Sequence, residues 1–330
     1  MTARILPAND ANIRVAADHL ESGGLVAMPT ETVYGLAADA TNDKAVAAIF
    51  EAKGRPQFNP VIVHVNSRDE AAAYVVFDDR ADHLATVFWP GPLTLILPRR
   101  SGCKLSLLTS AGLPSQAIRV PKHPVARQLI ETARKPLAAP SANASGSLSP
   151  TTPQHVAQSL GEKAQIILAG GKAEVGLEST VLDLTGPRAV LLRHGAITLE
   201  DLKREIGEVD VEDITTTDAP RSPGQLLKHY APRTPLRLKA VDVAPDEALL
   251  AFGSTKFMGV NGGGFARDLP AGRYLNLSES GDLNEAAANL FAMLHQLDAS
   301  GASRIAVMNV PETGLGVAVN DRLKRAAAAQ

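Results

Sequence analysis

P-T-E-T-V-Y-G-L-A-A-D-A-T-N-D-K-A-V-A-A-I-F-E-A-K-G-R-P-Q-F-N-P-V-I-V-H-V, residues Pro29 to Val65, is the stretch on which the fold turns. An apolar strand, Leu25–Met28, runs into it and meets a hydroxyl-rich turn at Thr30, Thr32 and Tyr34. A helix follows, patterned by Ala45, Val46, Ile49 and Phe50, with Asn42 or Asp43 as its cap. Gly54 stops the helix and leaves Lys53 and Arg55 as a cationic pair at its exit. Asn59-Pro60 then turns the chain into the β-branched strand Val61–Val65, whose one polar residue is His64. Two cations at the mouth of an apolar α/β unit, facing hydroxyls, suit an anion. The plainer reading is a solvated helix end in which basic residues complement the dipole.

Working outward, a helix begins at Asp10 as its cap and runs to about Glu21, where Gly23-Gly24 stops it. Helical patterns over 68–74 and 80–88 lead to W-P-G-P-L-T-L-I-L-P, in which Pro90 and Pro92 break the helix and Leu93–Leu97 is a strand. Further strands are expected at Ala117–Val120, Leu137–Ala139, Ile166–Leu168, Thr180–Leu184 and Val190–Leu192, with helices at Val125–Ala133, from Pro153 to about Leu160, and at Leu199–Ile206. Strands with interspersed helices but no strict βαβ alternation predict a twisted mixed sheet, α/β with α+β character, rather than a doubly wound fold. From about residue 208 to 232 the pattern dissolves into a linker, and loops of that length are usually functional or disordered. Beyond it, strands at Leu236–Leu238, Leu249–Phe252, Tyr274–Leu277 and Ile305–Asn309 alternate with helices near 282–298 and 320–328. That predicts a smaller α/β, Rossmann-like domain over 233–330, after a larger domain over 1–207. Its G-L-G at Gly314–Gly316 lacks a third spaced glycine and reads as an ordinary turn rather than a phosphate loop.

Composition bounds the function. The 330 residues are 45% hydrophobic and 21% charged, with a net charge of −2, ordinary for a globular chain and unlike a dedicated nucleic-acid surface. A single cysteine, Cys103, excludes an internal disulfide and a cysteine-built zinc site. The eight histidines show no H-x-x-x-H or H-E-x-x-H spacing, so no protein-held metal is expected. No signal peptide and no run of about 18 apolar residues is present, which predicts a cytoplasmic protein without a membrane span.

The candidate site residues are individually modest signals. Arg119 sits between Ile118 and Val120 in a strand and needs an anionic partner, either a substrate carboxylate or an Asp or Glu of the chain. Ser141 and Asn143 are two apart and project to one face in extended chain. The alternative is a turn of self-bonding hydroxyls. Ser179 and Thr180 open a strand, and Arg193 closes one just before a turn. His64 alone on an apolar strand is more often a core histidine. There is no G-x-S-x-G elbow and no G-x-x-x-x-G-K-[ST] loop, so no catalytic nucleophile is assigned. Together these residues describe a cleft that binds an anionic substrate and activates it by positioning.

P-T-E-T-V-Y-G-L, K-G-R-P…N-P-V-I-V-H-V, W-P-G-P-L-T, A-I-R-V-P, A-P-S-A-N-A-S-G, G-L-E-S-T-V and L-L-R-H-G, in this order, resemble the YrdC-like family of threonylcarbamoyl-AMP synthases over residues 10–205. S-P-G-Q-L-L-K-H-Y-A-P (Ser222–Pro232) resembles the linker of that family's long, two-domain form, although Gln225-Leu226-Leu227 departs from its usual Met and basic or aromatic residues. The resemblance implies formation of threonylcarbamoyl-AMP and pyrophosphate from L-threonine, bicarbonate and ATP. Magnesium is carried in with ATP and there is no tightly bound organic cofactor. The product goes to downstream threonylcarbamoyl-transfer proteins that modify the adenosine beside the tRNA anticodon, without strong direct tRNA binding here. By motif, Thr30, His64, Arg119, the Ala139 backbone and Ser179 face threonine. Lys53 and Arg55 face the ATP phosphates, while Ser115, Ser141, Asn143, Ser149 and Arg193 line the nucleotide site and Tyr230 closes over the ligands. The competing class is a double-stranded RNA-binding module, which the acidic net charge disfavours. A carbamoyl-transfer role in hydrogenase maturation would need cysteine-rich zinc segments, which one cysteine cannot supply.

Overall fold

Capping chemistry sets the helix boundaries of the larger unit. The computed structural model describes residues 3–56, 58–212, 229–256, 258–261 and 263–329. Strand β1 (Arg4–Pro7) leads to α1 (Asp10–Glu21), capped by Asn9 rather than by Asp10: the Asn9 side chain accepts from the Asn12 amide. After β2 (Val26–Met28) and β3 (Gly35–Asp39), α2 (Asp43–Lys53) starts on Asn42, whose side chain accepts from the Lys44 and Ala45 amides. Gly54 ends it at φ 61°, the left-handed conformation that only glycine adopts without a steric cost. Then follow β4 (Val63–His64), α3 (Arg68–Ala72), α4 (Asp79–Phe88), β5 (Leu93–Pro98), β6 (Ser115–Arg119), α5 (Pro124–Ala133) and β7 (Leu137–Ala138). Thr152 caps α6 (Pro153–Leu160), with Pro153 at the first helical position. Strands β8 (Ile166–Ala169), β9 (Thr180–Asp183) and β10 (Ala189–Arg193), helix α7 (Leu199–Ile206) and strand β11 (Val209–Val211) complete the unit.

These strands form one eleven-stranded sheet in the order β1-β8-β2-β3-β7-β4-β6-β5-β9-β10-β11. It is mixed, as the pattern predicts: β4 runs parallel to β6 and β5 to β9, whereas β5–β6 and β9–β10 are antiparallel. Alternation along the central strands separates two faces. Val63, Leu93, Leu95, Leu97, Ile118 and Leu182 enter the main core with Val46, Ile49 and Phe50 of α2 and Leu84 of α4. On the opposite face, Ile13, Ala17 and Leu20 of α1 and Leu129 and Ile130 of α5 cover the β2–β7–β8 end. The central strands carry there a small apolar cluster of Ile62, Ile96, Ala117, Val181 and Leu192. That second face of the central strands is where the polar residues of interest lie.

Several elements differ from the sequence reading. The strand expected over Val61–Val65 shortens to Val63–His64, because the Val61 amide is taken by the Thr109 carbonyl of a neighbouring turn. Strands β1 and β3 were not expected. Gly35–Asp39 has no β-branched residue, and its buried small side chains become a strand only through pairing with β2 and β7. Val209–Val211, within the stretch read as linker, pairs in parallel with β10. The rest of that stretch, residues 213–228, lies outside the described residues.

By contact the chain divides into two compact units, and residues 146–148 and 175–177 group with 227–330 in the second. This unit holds β12 (Leu236–Arg237), β13 (Ala248–Ala251), β14 (Tyr274–Asn276), α8 (Leu283–Asp298), β15 (Ile305–Val307) and α9 (Leu315–Ala328). Its four strands are all parallel, in the order β12-β15-β13-β14. The G-L-G segment opens α9, and a Cβ at Gly316 would lie 1.9 Å from the Pro311 carbonyl oxygen. Close backbone approach accounts for that glycine.

Leu95 is fully buried in the main core between β6 and β9. Leu95→Ala is expected to destabilise the larger unit by about 2–5 kcal/mol, read as a lowered urea midpoint by circular dichroism.

Candidate functional site

Strand register builds the site as a row across the sheet. His64 on β4 pairs with Leu137 on β7 and with Arg119 on β6. The pairing of Leu95 with Ile118 sets Thr94 of β5 beside Arg119, and Thr94 and Arg193 in turn both pair with Val181 of β9. Residues in one row share a face, and the two-residue period adds Ile62, Ile96 and Ala117 to it. The result is a line of polar side chains, His64, Arg119, Thr94 and Arg193, bordered by a small aliphatic floor.

Arg119 is 3% exposed, so its charge needs compensation within the protein. It pairs with the Glu31 carboxylate, donates from Nη1 to Thr32 Oγ1 at 3.0 Å and from Nε to the Gly91 carbonyl at 3.1 Å. The sequence left its anionic partner open between substrate and protein; Glu31 fills that role. Glu31 is itself held by the backbone amides of Lys122 (3.0 Å) and His123 (3.3 Å). Burial pushes its carboxyl up, but the Arg119 charge and these hydrogen bonds prevail and hold it below the usual range. Thr30 organises the same turn, donating to the Val33 carbonyl at 2.6 Å and lying 2.8 Å from Thr32 Oγ1.

His64 is buried, and among the described residues its Nδ1 has no hydrogen-bond partner. Burial and, secondarily, the Arg119 charge push the ring's pKa down to about 3, outweighing Glu31 and nearby carbonyls. The imidazole is therefore neutral near pH 7 and keeps an unused polar atom inside the site. Buried polar atoms are normally satisfied, so this nitrogen calls for a partner.

A second group forms where α2 ends. Lys53 donates to the carbonyls of Ser141 (2.5 Å) and Asn143, which fixes the loop after β7 against the helix exit. Burial, with Arg55 second, holds its pKa well below the ordinary value. Arg55 reaches back to Asn59 Oδ1 at 2.6 Å and the Pro60 carbonyl at 2.8 Å. A third group links Thr94 Oγ1 to Ser179 Oγ at 2.8 Å, with Arg193 donating to Ser179 Oγ and to its carbonyl, both at 3.0 Å. Ser149 donates a hydrogen bond to Glu178, the residue before Ser179 and 29 positions further along the chain.

The structure thus brings Thr30, His64 and Arg119 into one connected row, and Lys53, Ser141 and Asn143 into one hydrogen-bonded group. The Ala139 amide donates to Ile62 at the edge of the row. Ser115 stands at the far end of β6, roughly 13 Å along the strand from Arg119. Tyr230 belongs to the second unit, where it is buried at φ 65° with its ring 5.5 Å from Phe291 and 5.4 Å from the Arg322 guanidinium carbon. The sequence reading named Thr32 in the hydroxyl turn but missed Glu31, Thr94, Asn59 and Glu178. The signals were there in the acid between two threonines in P-T-E-T and the lone hydroxyl in L-T-L-I-L.

Chemically the row and the Lys53 group differ. Around Arg119 the charges cancel: one guanidinium, one carboxylate and a neutral imidazole fit a small dipolar molecule. Around Lys53 the partners among the described residues are carbonyl oxygens, and Arg55 stands beside it, which fits an anion. Among the described residues no cluster of His, Cys, Asp and Glu could hold a metal ion, and no helix is long and apolar enough to cross a membrane.

The Sua5/YciO/YrdC family model, described as "Telomere recombination", matches residues 18–195, and the model "Threonylcarbamoyl-AMP synthase, C-terminal domain" matches residues 197–328. A threonylcarbamoyl-AMP synthase of Pyrococcus abyssi is 40% identical, the match covering 95% of this chain and 93% of that protein. One of Bacillus subtilis is 39% identical, covering 98% and 94%. The crystal structure of P. abyssi Sua5 complexed with L-threonine superposes with a TM-score of 0.86 at 36% identity, covering 97% of this chain and 95% of that one.

The buried neutral histidine has a measurable consequence. An unfolded chain protonates this ring below about pH 6.5, the folded one only near 3. Its contribution to stability is therefore complete above about pH 6.5 and is lost as pH falls toward 3. Between pH 7 and 5, wild-type stability is expected to fall by about 2 kcal/mol more than that of His64→Gln, measured by urea denaturation at each pH.

Proposed function

The chain belongs to the Sua5/YciO/YrdC family, in the form that carries the threonylcarbamoyl-AMP synthase C-terminal domain, and on that premise we propose how its residues make threonylcarbamoyl-AMP from L-threonine, bicarbonate and ATP. The observation that carries the assignment of roles is the polar row with its charge-balanced Arg119–Glu31 pair, and the Lys53 and Arg55 side chains at the exit of α2 in the same unit.

Threonine sits at Arg119, its carboxylate on the guanidinium edge that Glu31, Thr32 and Gly91 leave open. Thr30, the Ala139 backbone and Ser179 face its remaining polar atoms. His64 presents its unused Nδ1 to the amino end. ATP enters with magnesium on its own phosphate oxygens. Lys53 and Arg55 take the phosphates, while Ser115, Ser141, Asn143, Ser149 and Arg193 line the nucleotide.

Two bond-forming steps follow. The bound threonine ammonium first gives one proton to solvent water, and the amine so formed attacks the carbon of bicarbonate; loss of water leaves the N-carboxylate. An oxygen of that carbamate then attacks the α-phosphorus of ATP, and pyrophosphate departs. The second step joins two anions and piles charge on the phosphates, so the cations' contribution is charge stabilisation at fixed positions. A neutral His64 accepts a hydrogen bond from the amine without competing for its lone pair as a charged ring would. Because the mixed anhydride hydrolyses easily, an apolar floor of Ile62, Ile96, Ala117, Val181 and Leu192 that excludes water protects it. The product passes to proteins that transfer the threonylcarbamoyl group to the adenosine beside the tRNA anticodon, in the cytoplasm.

The test is pyrophosphate release from MgATP. Release is expected to require both L-threonine and bicarbonate, and to fall at least about a hundredfold in folded Lys53→Ala and Arg119→Ala proteins. Release that ignores threonine would overturn the assignment.

A further inference from the structure

We propose that Glu31 is a specificity-determining residue: by neutralising the Arg119 pocket it admits a net-neutral zwitterionic amino acid and turns away polyphosphate. The proposal rests on the reading that threonine binds at Arg119.

The two substrates of this reaction pose a sorting problem. Both carry anionic groups, and the same sheet face offers guanidinium groups at Arg119 and at Arg193, with Lys53 and Arg55 at the end of α2. A buried arginine fork binds phosphate as readily as carboxylate, so geometry at Arg119 does not tell them apart. Charge does. Glu31 pairs with Arg119 with both groups almost wholly buried, the side chains being 4% and 3% exposed. Its carboxylate cannot swing away, because its second oxygen is fixed by the amides of Lys122 and His123. The other ring in the pocket, His64, adds no charge near neutral pH.

A zwitterion tolerates this arrangement. Its carboxylate meets Arg119 and is repelled by Glu31, but its ammonium is attracted by Glu31 in return. Polyphosphate has no cationic end, and each of its charges meets Glu31 unrelieved in a site of low polarisability. The Lys53 end presents the opposite case. Lys53 donates to the carbonyl oxygens of Ser141 and Asn143, dipoles that orient an ammonium toward an incoming phosphate chain without opposing it. The single acid in P-T-E-T, which the motif's threonine and nucleotide roles leave unassigned, thus decides which substrate goes to which cation.

The experiment measures L-threonine binding to the full-length protein by calorimetry, with and without inorganic tripolyphosphate. Wild type is expected to bind threonine with an affinity that saturating tripolyphosphate leaves within about twofold. In Glu31→Gln, tripolyphosphate is expected to weaken threonine binding by about tenfold or more, in competitive fashion. Glu31→Asp, which keeps the charge, should bind threonine less well but still exclude tripolyphosphate. Competition in wild type, loss of exclusion in Glu31→Asp, or a folded Glu31→Gln protein that excludes tripolyphosphate like wild type would each overturn the proposal while leaving the threonine site standing. A wild-type protein that binds no threonine would instead bring down the assignment on which it rests. Should Glu31→Gln not fold, the wild-type and Glu31→Asp arms still decide.

Discussion

A guanidinium buried in the middle of a β-sheet is the constraint around which the larger unit is arranged. Arg119 lies on a strand whose neighbours are aliphatic, and its charge is stable there only because the chain supplies a carboxylate, a hydroxyl and a carbonyl around it. Those three come from different places: Glu31 and Thr32 from the turn after β2, and Gly91 from the turn before β5. Satisfying one side chain therefore ties two turns to the centre of the sheet. The Glu31 carboxylate extends the tie to the start of α5 through the Lys122 and His123 amides.

The sheet can carry such a residue because its two faces do different work. One face is packed by α2 and α4 against Leu93, Leu95, Leu97, Ile118 and Leu182 and supplies the bulk of apolar burial. The other is covered at one end by α1 and α5, which leaves the central strands to present His64, Arg119, Thr94 and Arg193 in register. Strand pairing, rather than loop conformation, fixes the spacing of these groups. A site built on paired strands holds its geometry well, which suits a reaction that proceeds by positioning and charge stabilisation.

The same logic separates the two ends of the site. Where α2 ends, Gly54 in the left-handed conformation turns the chain so that Lys53 and Arg55 flank the helix exit, and Lys53 is steadied by backbone carbonyls of the loop after β7. Carbonyl oxygens orient an ammonium without cancelling its charge, whereas a carboxylate cancels it. Dipoles around one cation and an ion around the other give the unit two electrostatically distinct places.

Local chemistry was legible in the sequence. Asn42, Gly54, Thr152-Pro153 and the Leu199–Ile206 period fixed helix ends, because capping and left-handed glycine are decided by residues a few positions apart. The ordered motifs identified the family and nominated Thr30, Lys53, His64, Arg119 and Ser141 as site residues. Strands β1, β3 and β11 were not legible, since Gly35–Asp39 and Val209–Val211 become strands only by pairing with partners distant in the chain. Nor could sequence choose between substrate and protein as the partner of Arg119, or find Thr94 beside Ser179, 85 residues away. Thus sequence determined the family and the local chemistry of helix ends such as those of α2 and α6. Only tertiary structure decided that Glu31 is the partner of Arg119, because that depends on groups brought together by strand register and turns distant in the chain.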